Sequence, residues 1–204
     1  MSSIWGDFLE RWFAIIGHRA PSSGVLNLND LTDSGGRMDV LARAVNTALF
    51  VSHGIREDSH VMLHLMGGGG PERRIWLDGS KLRGVRPDER SIAGQIKGVM
   101  KQVVPPMGRF EEFSRGIMHS GGGLGQTLRE WEERGIFTVV LDANGGNFSD
   151  LPTSKRVGFV LSDDWPLNEE ELFQLREFPT LSLGKRWLQG HSCIAIMHHF
   201  LDRN

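Results

Sequence analysis

The segments FTVVL (residues 137–141) and VGFVL (residues 157–161) decide the fold class, because each is a short, uninterrupted apolar run. Apolar runs of this length, rich in β-branched side chains, are typical of strands that are buried on both faces of a sheet. The runs FAIIG (residues 13–17) and HVMLHLM (residues 60–66) predict two more such strands. Helices are predicted at residues 38–53, 88–103, 124–134, 168–178 and 186–202. We therefore expect an α/β fold, with a mainly parallel sheet and helices on both faces.

Weaker signals complete the predicted order of elements. Asp78-Gly79 lies between residues 74–77 and a partner strand around Leu82, and this dipeptide is typical of a hairpin turn. Asp88 is predicted to cap the helix that follows it. The remaining predicted elements are loops at residues 18–34 and 107–123, a helix opened by Asn168 and a short strand at residues 179–183.

The length of 204 residues suits one compact α/β domain, and no repeat or low-complexity linker divides the chain. We assign residues 13–204 to that domain and residues 1–12 to an N-terminal extension without an assigned role. The single cysteine, Cys193, excludes an intramolecular disulfide and a multi-cysteine zinc site. No apolar run approaches the roughly 20 residues of a membrane span. Charged residues interrupt the N-terminus, so we expect no signal peptide, no membrane segment and a cytoplasmic location.

Charge is distributed unevenly along the chain, although its net value is only −2. Residues 73–109 contain nine basic and three acidic residues, whereas residues 142–177 contain three basic and eight acidic ones. A protein that binds nucleic acid over its whole surface is basic overall, so any nucleic-acid site of this chain must be local. Two solvated faces of opposite charge are one explanation, and a polyanion-binding half is the other.

Several motifs that suggest cofactor or metal chemistry are incomplete. Residues 67–70 (GGGG) are not followed by Lys-Ser/Thr, and residues 121–125 (GGGLG) follow no predicted strand, so neither fits a nucleotide-binding loop. His191 and His198 share the last predicted helix without the spacing of a zinc site, and we expect no metal. Cys193 has no paired base in the sequence and is expected to be a small buried residue.

Three predicted strands end in loops that favour a shared ligand site. These loops are residues 141–145 (LDANG), 161–164 (LSDD) and 180–188 (TLSLGKRWL). In an open α/β sheet, ligands bind where loops leave the carboxyl ends of parallel strands. The pattern predicts one small-molecule pocket and leaves its ligand open.

Two sets of motifs run in order along residues 13–202. The N-terminal set is LNDL (28–31), GRMDVLAR (36–43), ALFVSHGIR (48–56) and PDERS (87–91). The C-terminal set is FVLSD (159–163), LSLG (181–184), HSCI (191–194) and HHFLD (198–202). Together they resemble the archaeal tRNA (pseudouridine(54)-N1)-methyltransferases, the TrmY family of the SPOUT superfamily.

The resemblance implies a SPOUT-type homodimer in which about residues 137–204 form a deep trefoil knot. It also implies that S-adenosylmethionine is the cofactor and that the three strand-end loops bind it. The implied cofactor-binding residues are Leu141, Ser162, Leu183, Gly184, Lys185, Arg186, Trp187, Leu188 and Cys193. Where many relatives have Gly, His and a Pro-containing turn, this chain has Ser162, Asp164 and Lys-Arg-Trp at residues 185–187.

The activity that the resemblance implies is methylation of N1 of pseudouridine 54 in the T-loop of tRNA. Because N1 carries a proton, the protein has to position the base and handle that proton. The candidates for this role are Asp39, Arg37, Asp88 and Arg90, and those for RNA binding are Arg43, Arg73, Arg74, Arg83 and Arg86. Alternative roles are a helix cap for Asp88 and an exposed helix charge for Arg43.

Three other functions stay open from the sequence. One is methylation of a pseudouridine in ribosomal RNA by a related enzyme. The second is RNA binding by a chain that has lost catalysis, with Asp164 and the bulky 185–187 turn blocking the cofactor. The third, a Rossmann-type oxidoreductase, is disfavoured by the missing dinucleotide fingerprint.

Overall fold

The computed structural model describes residues 9–151 and 154–203. In chain order its elements are β1 (Glu10–Pro21), α1 (Met38–Leu49), β2 (Phe50–Val51), β3 (Gly54–Ile55), β4 (Ser59–Gly67), β5 (Arg73–Asp78), α2 (Glu89–Met100), β6 (Glu111–Ser114), β7 (Ile117–Gly121), α3 (Leu124–Glu133), β8 (Phe137–Gly146), β9 (Arg156–Ser162), α4 (Glu169–Leu175), β10 (Thr180–Leu181) and α5 (Gly190–Asp202).

Eight of the strands form one sheet in the order β10-β8-β9-β1-β4-β5-β7-β6. All pairings from β10 to β4 are parallel. The pairings from β4 to β6 are antiparallel. The short strands β2 and β3 pair separately. The expected α/β class, with a mainly parallel central sheet, is confirmed.

The central strand β1 separates two apolar clusters, because successive side chains of a strand point to opposite faces. Phe13 and Ile15 pack with apolar residues of α1, α2 and α5. Ala14 and Ile16 pack with residues of α3 and with Leu175 of α4. Helices therefore cover both faces of the sheet, as the sequence predicted.

The first strand is longer than predicted at both ends. It begins at Glu10, so residues 10–12 belong to the domain and not to an extension. Apolar patterning does not predict a strand at Arg11, because arginine is charged. In the structure Arg11 is buried and forms ion pairs with Asp58 and Asp202, at 2.7 Å each. Residues 1–8, the rest of the predicted extension, lie outside the described residues. At the other end, β1 runs to Pro21, into the predicted loop.

The predicted hairpin at Asp78-Gly79 is wrong. β5 pairs with β4 and β7, and Leu82 is buried outside the sheet. The Asp78 carboxylate accepts hydrogen bonds from the amide and hydroxyl of Ser80 at 3.1 and 2.6 Å. The predicted turn is present, but the chain that follows it leaves the sheet and does not form a strand paired with β5.

The predicted loop at 107–123 is replaced by β6 and β7, whose mixed polar sequences EEFS and IMHSG lack an apolar run. Two helices also differ in length. α1 ends at Leu49, because Phe50 starts β2, and α5 begins at Gly190, four residues later than predicted. The caps are confirmed, since Asp88 accepts the amide of Ser91 at 2.7 Å and Asn168 opens α4.

Candidate active site

A cavity of about 290 Å³ is lined by the second half of β8, the ends of β9 and β10 and the segments that follow those two strands. The three predicted segments converge, but residues 141–145 belong to β8 and not to a loop, because β10 pairs with this strand as far as Gly146. Every residue implied for cofactor binding except Lys185 lines the cavity. Its walls comprise Leu141, Asp142, Ala143, Asn144, Leu161, Ser162, Asp163, Pro166, Leu167, Leu172, Leu181, Leu183, Gly184, Arg186, Trp187, Leu188, Gly190 and Cys193.

The segment after β10 is tied to the second half of β8 by hydrogen bonds. The amide of Ser182 donates to the carbonyl of Gly146, and its hydroxyl donates to the carbonyl of Ala143, both at 2.9 Å. The amide of Gly184 then donates to the Ser182 hydroxyl at 3.1 Å. Gly184 has a φ of 108°, which an L side chain rarely adopts, so glycine fits this turn.

The bulky turn at residues 185–187 does not fill the cavity. The Trp187 side chain contributes to the rim and is 71% exposed. Cys193 contributes to the wall from the first turns of α5. Burial raises the pKa of its thiol, so the sulfur is not activated as a nucleophile. The cavity is thus open to a ligand, with Cys193 as a wall residue.

His18, at the end of β1, joins two acidic residues beside the cavity. Its Nδ1 lies 2.9 Å from Asp163 Oδ1, and its Nε2 lies 3.1 Å from Glu171 Oε2. Burial alone would lower the pKa of His18, but the hydrogen bonds and charges of Asp163 and Glu171 raise it above 6.5. Sequence analysis missed His18, because its partners are 145 and 153 residues away.

Asp164, which follows the cavity residue Asp163, pairs with two arginines. Arg19 Nη2 lies 2.5 Å from its Oδ2, and Arg37 Nη1 lies 2.7 Å from the same oxygen. Asp164 does not line the cavity, and its charge is compensated by these two guanidinium groups. Asp164 therefore contributes no wall to the cavity and does not obstruct it.

Arg37 and Asp39 form a second ion pair next to this one. The Arg37 Nε and Nη2 donate to the two oxygens of Asp39 at 3.0 and 3.2 Å. Arg43 Nη2 lies 2.5 Å from Asp39 Oδ2. Burial would raise the pKa of Asp39, but the hydrogen bonds and charges of Arg37 and Arg43 outweigh it and lower the pKa. Asp39 is therefore a buried anion that positions Arg37.

Asp88 and Arg90 lie at the start of α2, and both are exposed. Asp88 Oδ1 caps the helix through Ser91. Arg90 Nη1 donates to Asn29 Oδ1 at 2.8 Å and so ties α2 to the loop that follows β1. No contact joins either residue to the cavity within the described part of the chain.

The arginines assigned to RNA binding divide into buried and accessible ones. Arg73 and Arg74 are 1% and 0% exposed, so their assignment to a phosphate-binding surface is wrong. Arg74 forms a two-pronged ion pair with Glu130 at 2.8 and 3.0 Å, and Arg73 donates to main-chain carbonyls at the end of α2. Arg83 and Arg86 are exposed and Arg43 is half-buried, so these three can reach a phosphate.

Comparison with known proteins identifies the family. A family model described as "Putative SAM-dependent RNA methyltransferase" matches residues 10–204. The tRNA (pseudouridine(54)-N(1))-methyltransferase of Methanococcoides burtonii is 36% identical over 198 residues, covering 95% of this chain and 96% of that protein. The chain belongs to the tRNA (pseudouridine(54)-N(1))-methyltransferase family. The enzyme of the same name from Methanospirillum hungatei is 36% identical over 192 residues, covering 94% of this chain and 95% of the relative.

The fold of this methyltransferase family member is also similar to that of a solved structure. Archaeoglobus fulgidus Nep1, determined with bound S-adenosylhomocysteine, superposes with a TM-score of 0.63 over 96% of this chain and 98% of the Nep1 chain. The two sequences are 16% identical, so the likeness concerns the fold.

Membrane-spanning helices and metal-binding clusters are both absent from the described residues of this family member. No helix there is both long and apolar enough to cross a membrane. In the same part of the chain, no group of three or more His, Cys, Asp or Glu residues is arranged to hold a metal ion. His191 and His198 accordingly have no metal-ligand partners there, and His198 contacts Arg11 and the carbonyl of Ala48.

Proposed function

We propose that this chain is an S-adenosylmethionine-dependent methyltransferase that methylates N1 of pseudouridine 54 in the T-loop of tRNA. One observation carries the proposal. The cavity at the ends of β8, β9 and β10 belongs to a chain that shares 36% identity with enzymes of that name over nearly its whole length. The Arg37–Asp164 ion pair adds a cationic group next to cavity residue Asp163.

The cavity fits S-adenosylmethionine in its chemistry. Leucines at the ends of three strands offer an apolar slot for the adenine ring, and the turn at Gly184 leaves main-chain groups at the rim. Its volume lies at the lower end of the ~300–1,000 Å³ typical of ligand sites. When bound, this cofactor supplies a methyl group that is activated by a positively charged sulfur. The residues that would hold it are Leu141, Ser162, Leu183, Gly184, Arg186, Trp187, Leu188 and Cys193.

Arg37 and Asp39 have separate roles in this proposal. The uracil ring becomes anionic when N1 loses its proton, and we assign the stabilisation of that charge to the Arg37 guanidinium. Asp39 cannot serve as the proton acceptor, because both of its oxygens accept hydrogen bonds from arginines and its pKa is lowered. It positions Arg37, whose left-handed backbone (φ 63°) directs the chain into α1.

The proton acceptor and the RNA surface are assigned to charged groups that are exposed or half-buried. Asp88 is an exposed carboxylate that has one oxygen in the helix cap and is our candidate for the acceptor, with Arg90 beside it. Arg43, Arg83 and Arg86 would contact phosphates, so tRNA affinity should fall steeply as salt increases. A splayed T-loop base suits a cavity of this kind better than a base in a duplex.

A homodimer, a trefoil knot and a cytoplasmic location complete the proposal. Asp88 and Arg90 have no contact with the cavity in their own described chain, which favours their action at the cavity of a partner protomer. The proposed knot is supported by the path of the C-terminal segment. β10 pairs with β8 at the edge of the sheet, and the chain then continues into α5, which packs against α1. Sedimentation analysis tests the dimer, and an experimental backbone trace tests the knot.

The decisive experiment is incubation of the protein with S-adenosylmethionine and tRNA that contains pseudouridine 54, followed by mass spectrometry of the nucleosides. Unmodified tRNA is the control, because N1 of uridine is bonded to ribose and cannot accept the methyl group, and ribosomal RNA is the competing substrate. The expected product is N1-methylpseudouridine in the T-loop. Methylation confined to ribosomal RNA would favour the related rRNA enzyme. Failure to bind the cofactor at millimolar concentration in calorimetry would favour an inactive RNA-binding protein.

A further inference from the structure

We propose that His18 is a positioning residue that, as a doubly protonated imidazolium, holds one wall of the cofactor cavity in place. This inference rests on the proposed function, since it concerns the same cavity. It adds a residue that lies outside every motif used to recognise the family, and it predicts that cofactor affinity depends on the charge of that residue.

The geometry ties three separate elements to one ring. Asp163, directly after β9, accepts from the main-chain amide of His18 with Oδ2 and faces His18 Nδ1 with Oδ1, both at 2.9 Å. Glu171, in the first turn of α4, faces His18 Nε2 at 3.1 Å. The side chains of Asp163 and Glu171 are only 1% and 4% exposed, and that of His18 is 10% exposed.

These contacts require protons on both ring nitrogens. Ionised carboxylates only accept hydrogen bonds, and a neutral imidazole has a single N–H to donate. Two carboxylates that face the two nitrogens are therefore both satisfied only by the imidazolium form. The same positive charge compensates two buried negative charges, which would otherwise be costly so close together.

The contacts of His18 with Asp163 and Glu171, which we call the clamp, act directly on the cavity. Asp163 lines it, and so do Pro166, Leu167 and Leu172 in the segment that leads from Asp163 into α4. Within that segment, the amide of Trp165 donates to Asp163 Oδ1 at 2.9 Å. The segment is thus fastened to the sheet at Asp163, where the amide of Asp163 also donates to the carbonyl of Ile16, and at Glu171. The His18 ring contributes to both attachments, and its contact with Glu171 is the link from the sheet to α4.

Other charged groups nearby are paired among themselves. Arg19 and Arg37 share Asp164, on the side of the loop that faces α1. Glu171 also accepts the amide of Asn168 at 2.8 Å with the oxygen that faces His18. The charge on the clamp is therefore set by His18, Asp163 and Glu171, with the Arg19–Asp164–Arg37 group as its neighbour.

The sign of the pH dependence follows from the imidazolium. Because the folded-state pKa of His18 lies above 6.5, the clamp is complete at pH values below about 6.5 and is lost as pH rises through the folded-state value. Cofactor affinity should weaken over that upper range. A neutral side chain at position 18 should remove this dependence.

The test compares the wild-type protein with His18→Gln and with His199→Gln, an exposed histidine of α5. Calorimetric titration with S-adenosylhomocysteine at about pH 6 and about pH 9 should show a roughly tenfold loss of wild-type affinity at the higher pH. His18→Gln should bind about tenfold more weakly at the lower pH and show little further loss. His199→Gln should behave as the wild type. Equal affinity and pH dependence for wild type and His18→Gln would overturn the proposal.

A cofactor-free measurement separates this inference from the proposed function. Hydrogen exchange of residues 163–175 should accelerate in the wild type as pH rises, after correction for intrinsic exchange, and should be fast at all pH values in His18→Gln. Glu171→Gln, which keeps the side-chain size, should accelerate the same segment without unfolding the protein. A wild type with this behaviour that methylates no tRNA would refute the proposed function alone. Unchanged exchange in both variants would refute the clamp.

Discussion

Arg37 Nη1 lies 2.7 Å from Asp164 Oδ2, and this ion pair joins the loop before α1 to the segment after β9. The two residues are 127 positions apart, and each borders a different part of the candidate site. Asp164 follows the cavity residue Asp163, while Arg37 pairs with the buried Asp39. The contact thus connects the proposed substrate side of one protomer to its own cofactor cavity.

Replacing Asp164 by Asn should slow methylation more than it weakens cofactor binding. The variant leaves Arg19 and Arg37 without their shared anion, but it changes no cavity-lining side chain. We expect a loss of about three- to tenfold in kcat/KM for tRNA, in line with a partly exposed charged hydrogen bond.

The matched control for this substitution is Glu10→Gln, which removes the exposed ion pair with Arg156 at the opposite end of β1. Steady-state kinetics with tRNA and calorimetry with S-adenosylhomocysteine measure the two effects. A tenfold loss of cofactor affinity with normal kcat/KM at saturating cofactor would contradict the assignment of Asp164.

Substituting Gly184 by Ala should weaken cofactor binding through the backbone. A Cβ atom at this position meets nothing within 4 Å, so the penalty comes only from its φ of 108°. Conformational strain of about 1–3 kcal/mol predicts roughly a tenfold weaker Kd if the loop relaxes to another conformation.

Gly135→Ala provides the control, because Gly135 also has a positive φ of 67° and open space around it, but follows α3. It should lower the free energy of unfolding and leave the Kd for S-adenosylhomocysteine unchanged. Equal Kd values for the two variants would show that the loop at 184 does not shape the site.

Removing the charge of Arg74 should destabilise the fold and leave the salt dependence of tRNA binding unchanged. Arg74→Met breaks a buried pair with Glu130, and we expect a loss of about 3–5 kcal/mol in the free energy of unfolding. Arg86→Ala, at an exposed position, should leave stability within about 0.5 kcal/mol.

Salt titrations of tRNA binding distinguish the two arginines. Loss of one phosphate contact in Arg86→Ala should reduce the slope of log K against log salt by about 0.7–0.9. The slope of Arg74→Met, measured at a temperature where the variant is folded, should equal that of the wild type. A reduced slope for Arg74→Met would restore this residue to the RNA surface.

Replacing His64 by Leu should make the protein less sensitive to acid. His64 is fully buried in β4, and both ring nitrogens lack hydrogen-bond partners in the described chain. Burial, together with the charge of Arg74, lowers the pKa of His64 to about 3. The folded protein therefore holds this ring neutral while the unfolded chain binds a proton below about pH 6.5.

The free energy of unfolding should fall in the wild type as pH drops from about 6.5 towards 3, and His64→Leu should fall less steeply. Urea unfolding at about pH 7.5 and about pH 5 measures the difference. His53→Leu, at an exposed position, should leave the pH dependence as it is in the wild type. An unchanged slope for His64→Leu would show that another group dominates acid unfolding.

Local sequence was sufficient for the buried strands, most helices and the position of the ligand cavity. Residues 13–17, 60–66, 137–141 and 157–161 all lie within strands of the sheet, because a segment made almost wholly of apolar residues leaves few alternatives to burial. The caps at Asp88 and Asn168 were also local, since a carboxylate or amide there bonds an amide three residues ahead. Loops at the carboxyl ends of parallel strands had to meet at one edge.

Only the tertiary structure decided which charged residues are free to act. Arg73 and Arg86 look alike in the basic segment, yet one is buried and the other exposed. His18 carries no signal of its role, because Asp163 and Glu171 reach it only once β1 and β9 pair. Hydrophobic patterning specifies which side chains leave water, but the partner of a charge is set by contacts between distant segments. Those contacts exist only after the sheet has formed.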